Sequence, residues 1–282
     1  MTTEPRMSRG HIPDSDPLII GHRGASASAP ENTLAAFDLA LRDGADGIEL
    51  DVRLARDGVP VCIHDAGLDR TVLLEGRLVE EFDSTLLSKF YVGEWFNRRY
   101  PARARDSFVF ECIPTLAQVF EQFGAHTLYV EMKCREPSLQ APLARAVVEL
   151  TRAHGLAERV VVKSFEHDSL REVKRLAPEI RTAALFGRSW PRPLVPGAKI
   201  IAEAARCGAD EISLHHSLLR NATVEAAQRR GFEVLVWSVT GSIWLRRALA
   251  LNLRAVITDH PYRMHSVLRT LRARDAERHE TE

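Results

Sequence analysis

The chain has 282 residues, and its 38 basic residues are balanced by 38 acidic ones. Apolar residues make up 45% and charged residues 27%, ordinary values for a globular protein that set aside disordered and fibrous classes. With no basic surplus, duplex nucleic acid is a poor candidate partner, although a balanced total still permits a local charged pocket.

Met1 to Asp16 are polar and lack an apolar h-region, so the sequence predicts a flexible tail over 1–16 and no signal peptide. From there, short β-rich runs alternate with amphipathic helical stretches. The strand Leu18–His22 precedes a helix over Thr33–Arg42, and the strands Gly47–Leu54 and Val59–His64 follow. Next come helix Thr115–Phe123, strand Thr127–Lys133, helix Pro142–His154, strand Val160–Phe165, helix Asp168–Leu176 and strand Arg181–Phe186. The series ends with helix Ala198–Cys207, strand Glu211–Leu214, helix Thr223–Arg230, strand Glu233–Val239, helix Ser242–Leu249, strand Ala255–Thr258 and helix Tyr262–Leu271. Gly44, Gly124, Gly155, Gly208, Gly231 and Pro261 punctuate the joins. No apolar run approaches the length of a transmembrane segment. Cys62, Cys112, Cys134 and Cys207 have no C-x-x-C spacing, which fits a reducing, cytoplasmic setting better than a disulfide framework or zinc site.

Such alternation implies a parallel sheet covered by helices, either open and doubly wound or closed. Roughly eight strand–helix units over about 250 residues favour a (β/α)8 TIM barrel. Its expected span is 17–271, followed by a polar tail over 272–282. Val59–His64 follows Asp51 too closely for a helical crossover and reads as an extension or hairpin partner of the preceding strand. Residues 65–114 form an insertion after the second strand, with Tyr91, Trp95, Phe96, Tyr100, Phe108 and Phe110. A cap over the C-terminal face and an excursion packing its aromatics on the barrel both fit this composition.

Period-two alternation puts Glu49 and Asp51 on one face of their strand and Ile48, Leu50 and Val52 on the other. With the apolar set under the helices, the carboxylates point into the lumen, where a bound cation would compensate their burial; a charged alternation on an edge strand is the plainer reading. Glu131 and Lys133 repeat the pattern, and the two could also simply pair with each other. Three carboxylates from two strands make an oxygen-rich site for one divalent cation, Mg²⁺ or Ca²⁺, with Mn²⁺ a further candidate. Lys133 and the guanidinium fork of Arg23 offer cations to phosphate oxygens. His22 and His64, at strand ends, have the side chain suited to proton transfer near neutral pH. His215 and His216 read as strand neighbours facing opposite ways.

The stretches Gly21-His22-Arg23-Gly24 and Pro30-Glu31-Asn32-Thr33 resemble the opening signature of the glycerophosphodiester phosphodiesterase family. The likeness continues through Gly47 to Val52, Asp57-Gly58, His64-Asp65, Asp69-Arg70, Ile113 to Leu116, Glu131-Met132-Lys133, Ser164-Phe165, Val236 to Val239 and Thr258-Asp259-His260-Pro261. It thus runs in order from Leu18 to Pro261. The resemblance implies a (β/α)8 barrel with the insertion noted above and metal ligands at Glu49, Asp51 and Glu131. It also implies acid–base histidines at His22 and His64, phosphate contacts at Arg23 and Lys133, and a substrate-lining Trp237, for which a barrel-core role fits equally. Glu31 and Asn32 are expected to shape the first loop. Two departures stand out: Thr240-Gly241 where Asn often follows the strand, and Lys163 before Ser164 where a neutral residue is commoner.

The expected reaction is metal-dependent hydrolysis of a small phosphodiester to sn-glycerol 3-phosphate and an alcohol, with His22 as base and His64 as acid. The nucleophile is either a neighbouring glycerol hydroxyl, by way of a cyclic phosphate, or water. The alternatives are lysophospholipase D-type activity, Schiff-base chemistry at Lys133, and a barrel that binds glycerophosphodiesters without turnover.

Overall fold

Alternating side chains give each short apolar run one face for a barrel lumen and one for a helix. The computed structural model describes residues 16–187 and 195–279. In chain order the strands are β1 (Leu18–His22), β2 (Gly47–Leu54), β3 (Pro60–Cys62), β4 (Thr127–Met132) and β5 (Val160–Ser164). They continue as β6 (Arg181–Phe186), β7 (Glu211–His215), β8 (Glu233–Trp237) and β9 (Ala255–Thr258). All but β3 pair in parallel, and β1 pairs with both β2 and β9, which closes a TIM barrel. β3 is antiparallel to β2, with Val52 opposite Cys62, so it is the hairpin partner foreseen. It is shorter than expected, and His64 lies on the loop two residues beyond it.

The helices are α1 (Leu34–Arg42), α2 (Ser84–Leu87), α3 (Glu94–Arg99), α4 (Leu116–Phe123), α5 (Pro137–Ala153) and α6 (His167–Leu176). After them come α7 (Gly197–Arg206), α8 (Asn221–Gln228), α9 (Ser242–Ala250) and α10 (Pro261–His279). Thr33 caps α1 by accepting from the Ala36 N–H, and Thr115 with Gln118 forms a capping box at α4. Each cap contributes about 1 kcal/mol. α5 starts a turn earlier than expected: Pro137 takes the first helical position, where its missing N–H has no partner to lose, and Pro142 lies inside. The expected N-terminal tail lies outside the described residues apart from Asp16, which pairs with Arg272. Of the expected C-terminal tail, residues 280–282 lie outside them.

Ile48, Leu50, Val52, Val130, Val162, Ile212, Val234 and Val256 face outward into the helix layer, each fully buried. Inside, Ile20, Tyr129, Val161, Ala183, Leu235 and Ile257 fill the middle of the lumen. The segment between β3 and α4 divides its aromatics. Phe96 and Phe108 pack with Ala29 and Ala36 against the barrel, whereas Tyr91 and Phe110 meet edge-on and are exposed.

A charged plug closes the N-terminal end, where Arg181, Glu211 and Glu233 begin their strands. The Tyr129 hydroxyl donates to Glu211 Oε2 at 3.0 Å, and Arg181 lies 2.8 Å from Glu211 Oε1. Burial nevertheless outweighs Arg181 and pushes the Glu211 carboxyl up to about 7. The folded state therefore holds this proton more tightly than the unfolded chain, and stability falls as pH rises from the ordinary carboxylate range through about 7. Glu211→Gln should match wild type near pH 5 and gain about 2 kcal/mol on it by pH 8. Urea unfolding at the two pH values checks this; parallel behaviour of the two proteins would contradict it.

Candidate active site

Strand register assembles one polar row at the C-terminal end of the lumen. His22 is opposite Glu49, Asp51 is opposite Glu131, and Glu131 is opposite Lys163. Glu49, Asp51 and Glu131 are all buried, and each offers an oxygen within 4.8 Å of those of the other two. Glu49 Oε1, Asp51 Oδ1 and Glu131 Oε1 lack a well-formed hydrogen bond, although ammonium groups stand close by. Three buried, under-satisfied carboxylate oxygens form a set able to hold a hard metal ion.

Lysines flank the row from both sides. Lys133 follows β4 and contacts Glu131 and, at 3.2 Å, Asp51. Lys163 lies deeper, 2.7 Å from Glu49 and 3.5 Å from Glu131, so it adds its charge to the lumen. Burial would raise the carboxyls of Asp51 and Glu49, but Arg23 and Lys133 hold Asp51, and Lys163 holds Glu49, below the usual range.

The loop after β1 wraps over this row. Arg23 and Asn32 both take positive φ, 54° and 57°. Gly24 between them has φ of 81° and admits no larger residue, since a Cβ there would sit 2.5 Å from the Ala36 backbone. Arg23 donates its backbone N–H to Glu49, places Nε 3.0 Å from Asp51 and bonds Glu31 at 2.9 Å. Asn32 exchanges two hydrogen bonds with Asp51, consistent with a shaping role for this signature.

Each histidine is backed by a carboxylate. His22 Nδ1 lies 2.6 Å from Asp259 Oδ1, and its Nε2 is 3.9 Å from Glu49. Burial pulls the His22 imidazole down, yet Glu49 and Asp259 outweigh it and raise it above the ordinary histidine value. His64 Nδ1 lies 2.6 Å from Asp65, which accepts from Arg70, and Arg70 in turn donates to Glu31. Asp65 is held well below the carboxylate range, chiefly by the His64 hydrogen bond. Arg53 donates to the carbonyls of His64 and Lys133 and so ties the two loops together.

A cavity of about 1170 Å³ reaches the site at Glu131 and Lys133, with His64 and Trp237 also in its wall. Trp237 ends β8 and donates to the Ser213 carbonyl, while its ring meets Phe165 and His215 edge-on at 5.6 and 5.1 Å. The eight residues singled out from sequence thus gather at one end of the barrel. Phe165, His215, Asp259 and Arg53 join them without having been assigned a place there. His215 and His216 do not face opposite ways: β7 ends at His215, the chain turns, and the two rings lie 4.0 Å apart.

The family model described as the glycerophosphoryl diester phosphodiesterase family matches residues 22–263. The chain is 33% identical over 259 residues to a glycerophosphodiester phosphodiesterase of Caldanaerobacter subterraneus subsp. tengcongensis, covering 89% of this chain and 98% of that one. Among solved structures, it is similar to an Oleispira antarctica phosphodiesterase in complex with the product sn-glycerol-3-phosphate, with 28% identity and a TM-score of 0.75. That likeness covers 89% of this chain and 96% of the other. A glycerophosphodiester phosphodiesterase of Agrobacterium tumefaciens str. C58 is 30% identical with a TM-score of 0.71, covering 89% and 99% of the two chains.

Proposed function

The chain belongs to the glycerophosphoryl diester phosphodiesterase family and hydrolyses glycerophosphodiesters, and we propose that His22 and His64 carry its proton transfers beside a divalent cation held by Glu49, Asp51 and Glu131. The observation that carries this reading is the convergence of three buried carboxylates and two carboxylate-backed imidazoles at the C-terminal end of the barrel. Mg²⁺ and Ca²⁺ suit a donor set made only of carboxylate oxygens. When bound, such an ion supplies Lewis acidity to the phosphoryl group and offsets the carboxylate charge that favours protonated His22.

The rest follows from the chain's own residues. Asp259 accepts from His22 Nδ1–H, so the free Nε2 faces the row and removes a proton from the attacking hydroxyl, of water or of the substrate's glycerol. Asp65 accepts from Nδ1–H of His64 as an imidazolium, whose Nε2–H passes its proton to the departing alkoxide and leaves the neutral ring. Arg23 and Lys133 neutralise charge gathering on the non-bridging oxygens. Phe165, His215 and Trp237 give the cavity an aromatic side for the alcohol. Among the described residues no helix is long and apolar enough to cross a membrane. A cytoplasmic setting, with reduced cysteines, belongs to this reading; all four thiols are unpaired.

Phosphorus NMR of glycerophosphocholine incubated with the Mg²⁺-loaded protein tests the reading. The expected phosphorus product is sn-glycerol 3-phosphate, with choline released alongside it. Phosphocholine as the product would contradict the proposed cleavage, and turnover of lysophosphatidylcholine alone would move the substrate class to lysophospholipids.

A further inference from the structure

Lys163 is the charged side chain of the polar row that stands apart from the proposed chemistry. It is 1% exposed and ends in two acidic contacts, Glu49 at 2.7 Å and Glu131 at 3.5 Å. Lys133, by contrast, lines the cavity with its side chain 15% exposed, whereas the Lys163 side chain is 2% exposed. A substrate phosphate in that cavity meets Lys133, so the charge of Lys163 acts on the carboxylates from below.

Without a counter-charge, three carboxylates within 4.8 Å of one another would repel strongly at this depth. Arg23 and Lys133 attend to Asp51 from the open side, but Glu49 has Lys163 as its close ammonium partner. An ammonium fixed behind two of the carboxylates also repels an incoming divalent cation and competes for Glu49 Oε1. We propose that Lys163 is a resident counter-cation, a positioning residue that keeps Glu49 and Glu131 assembled in metal-free protein and weakens divalent-ion binding there. This rests on the reading that the three carboxylates hold such an ion.

Calorimetric titration with Mg²⁺ and with Ca²⁺, paired with thermal melting in EDTA and in Mg²⁺, tests the proposal on wild type, Lys163→Met and Lys163→Gln. Both variants should bind Mg²⁺ at least about tenfold more tightly than wild type. Their melting temperature should drop further in EDTA than in Mg²⁺, because a tighter ion stabilises the folded state more. Affinity that is unchanged or weaker in the variants, or equal losses in both buffers, would overturn the role of Lys163. A wild type that binds neither ion would instead remove the cation reading itself. Should neither variant fold in either buffer, stripped wild type decides. Melting within a few degrees of its Mg²⁺ form supports a resident counter-cation, and loss of the cooperative transition contradicts one.

Discussion

Replacing His22 by Ala is expected to lower kcat on glycerophosphocholine about 10²- to 10⁴-fold, the contribution typical of a positioned acid or base. The effect should fall on kcat and kcat/KM alike, because proton transfer is made in the transition state and adds nothing to ground-state binding. The imidazole is placed for this by Asp259, which holds Nδ1 at 2.6 Å and leaves Nε2 towards Glu49. Steady-state kinetics of His22→Ala, with a melting curve to confirm the fold, checks the prediction. A variant with kcat within threefold of wild type, or one changed only in KM, would remove His22 from the proton path.

Asp51→Asn is expected to cost more than any other single change in the row. Asp51 is fully buried and meets Arg23 at 3.0 Å, Lys133 at 3.2 Å and Asn32 through two hydrogen bonds. The amide keeps the shape but removes the charge that balances the two cations and serves as a ligand. Divalent-ion affinity should fall more than about 100-fold, since even the outer partners of metal ligands are worth 10- to 100-fold. Leaving Arg23 and Lys133 short of a buried counter-charge should also destabilise the protein by about 3 kcal/mol. Calorimetric titration and urea unfolding measure the two effects. Wild-type ion affinity in Asp51→Asn would contradict its place among the ligands.

How much of this could be read beforehand depended on sequence separation. Glu49 and Asp51 were legible because period two fixes which face each takes within one strand, and Glu131 with Lys133 for the same reason. Barrel register then brings Asp51 beside Glu131, which alternation alone does not specify. Asp259 carries no sign of its work until β9 closes on β1 and brings it to His22 across 237 positions. Arg53 shares the face of Glu49 and Asp51, but nothing local shows that it holds the carbonyls of His64 and Lys133. His215 was misjudged because the strand pattern was carried one residue past its end, where the chain turns. Lys163 was visible as a departure, but the choice between lumen and exterior needed the paired strands on either side.

Release of sn-glycerol 3-phosphate from glycerophosphocholine by wild-type protein, before EDTA, after EDTA and after restoring Mg²⁺ or Ca²⁺, tests the central claim most directly. The account predicts turnover that falls at least about 100-fold on chelation, returns with the ion, and does not return in Asp51→Asn. Turnover indifferent to EDTA in folded protein would contradict a reaction built around a cation at Glu49, Asp51 and Glu131.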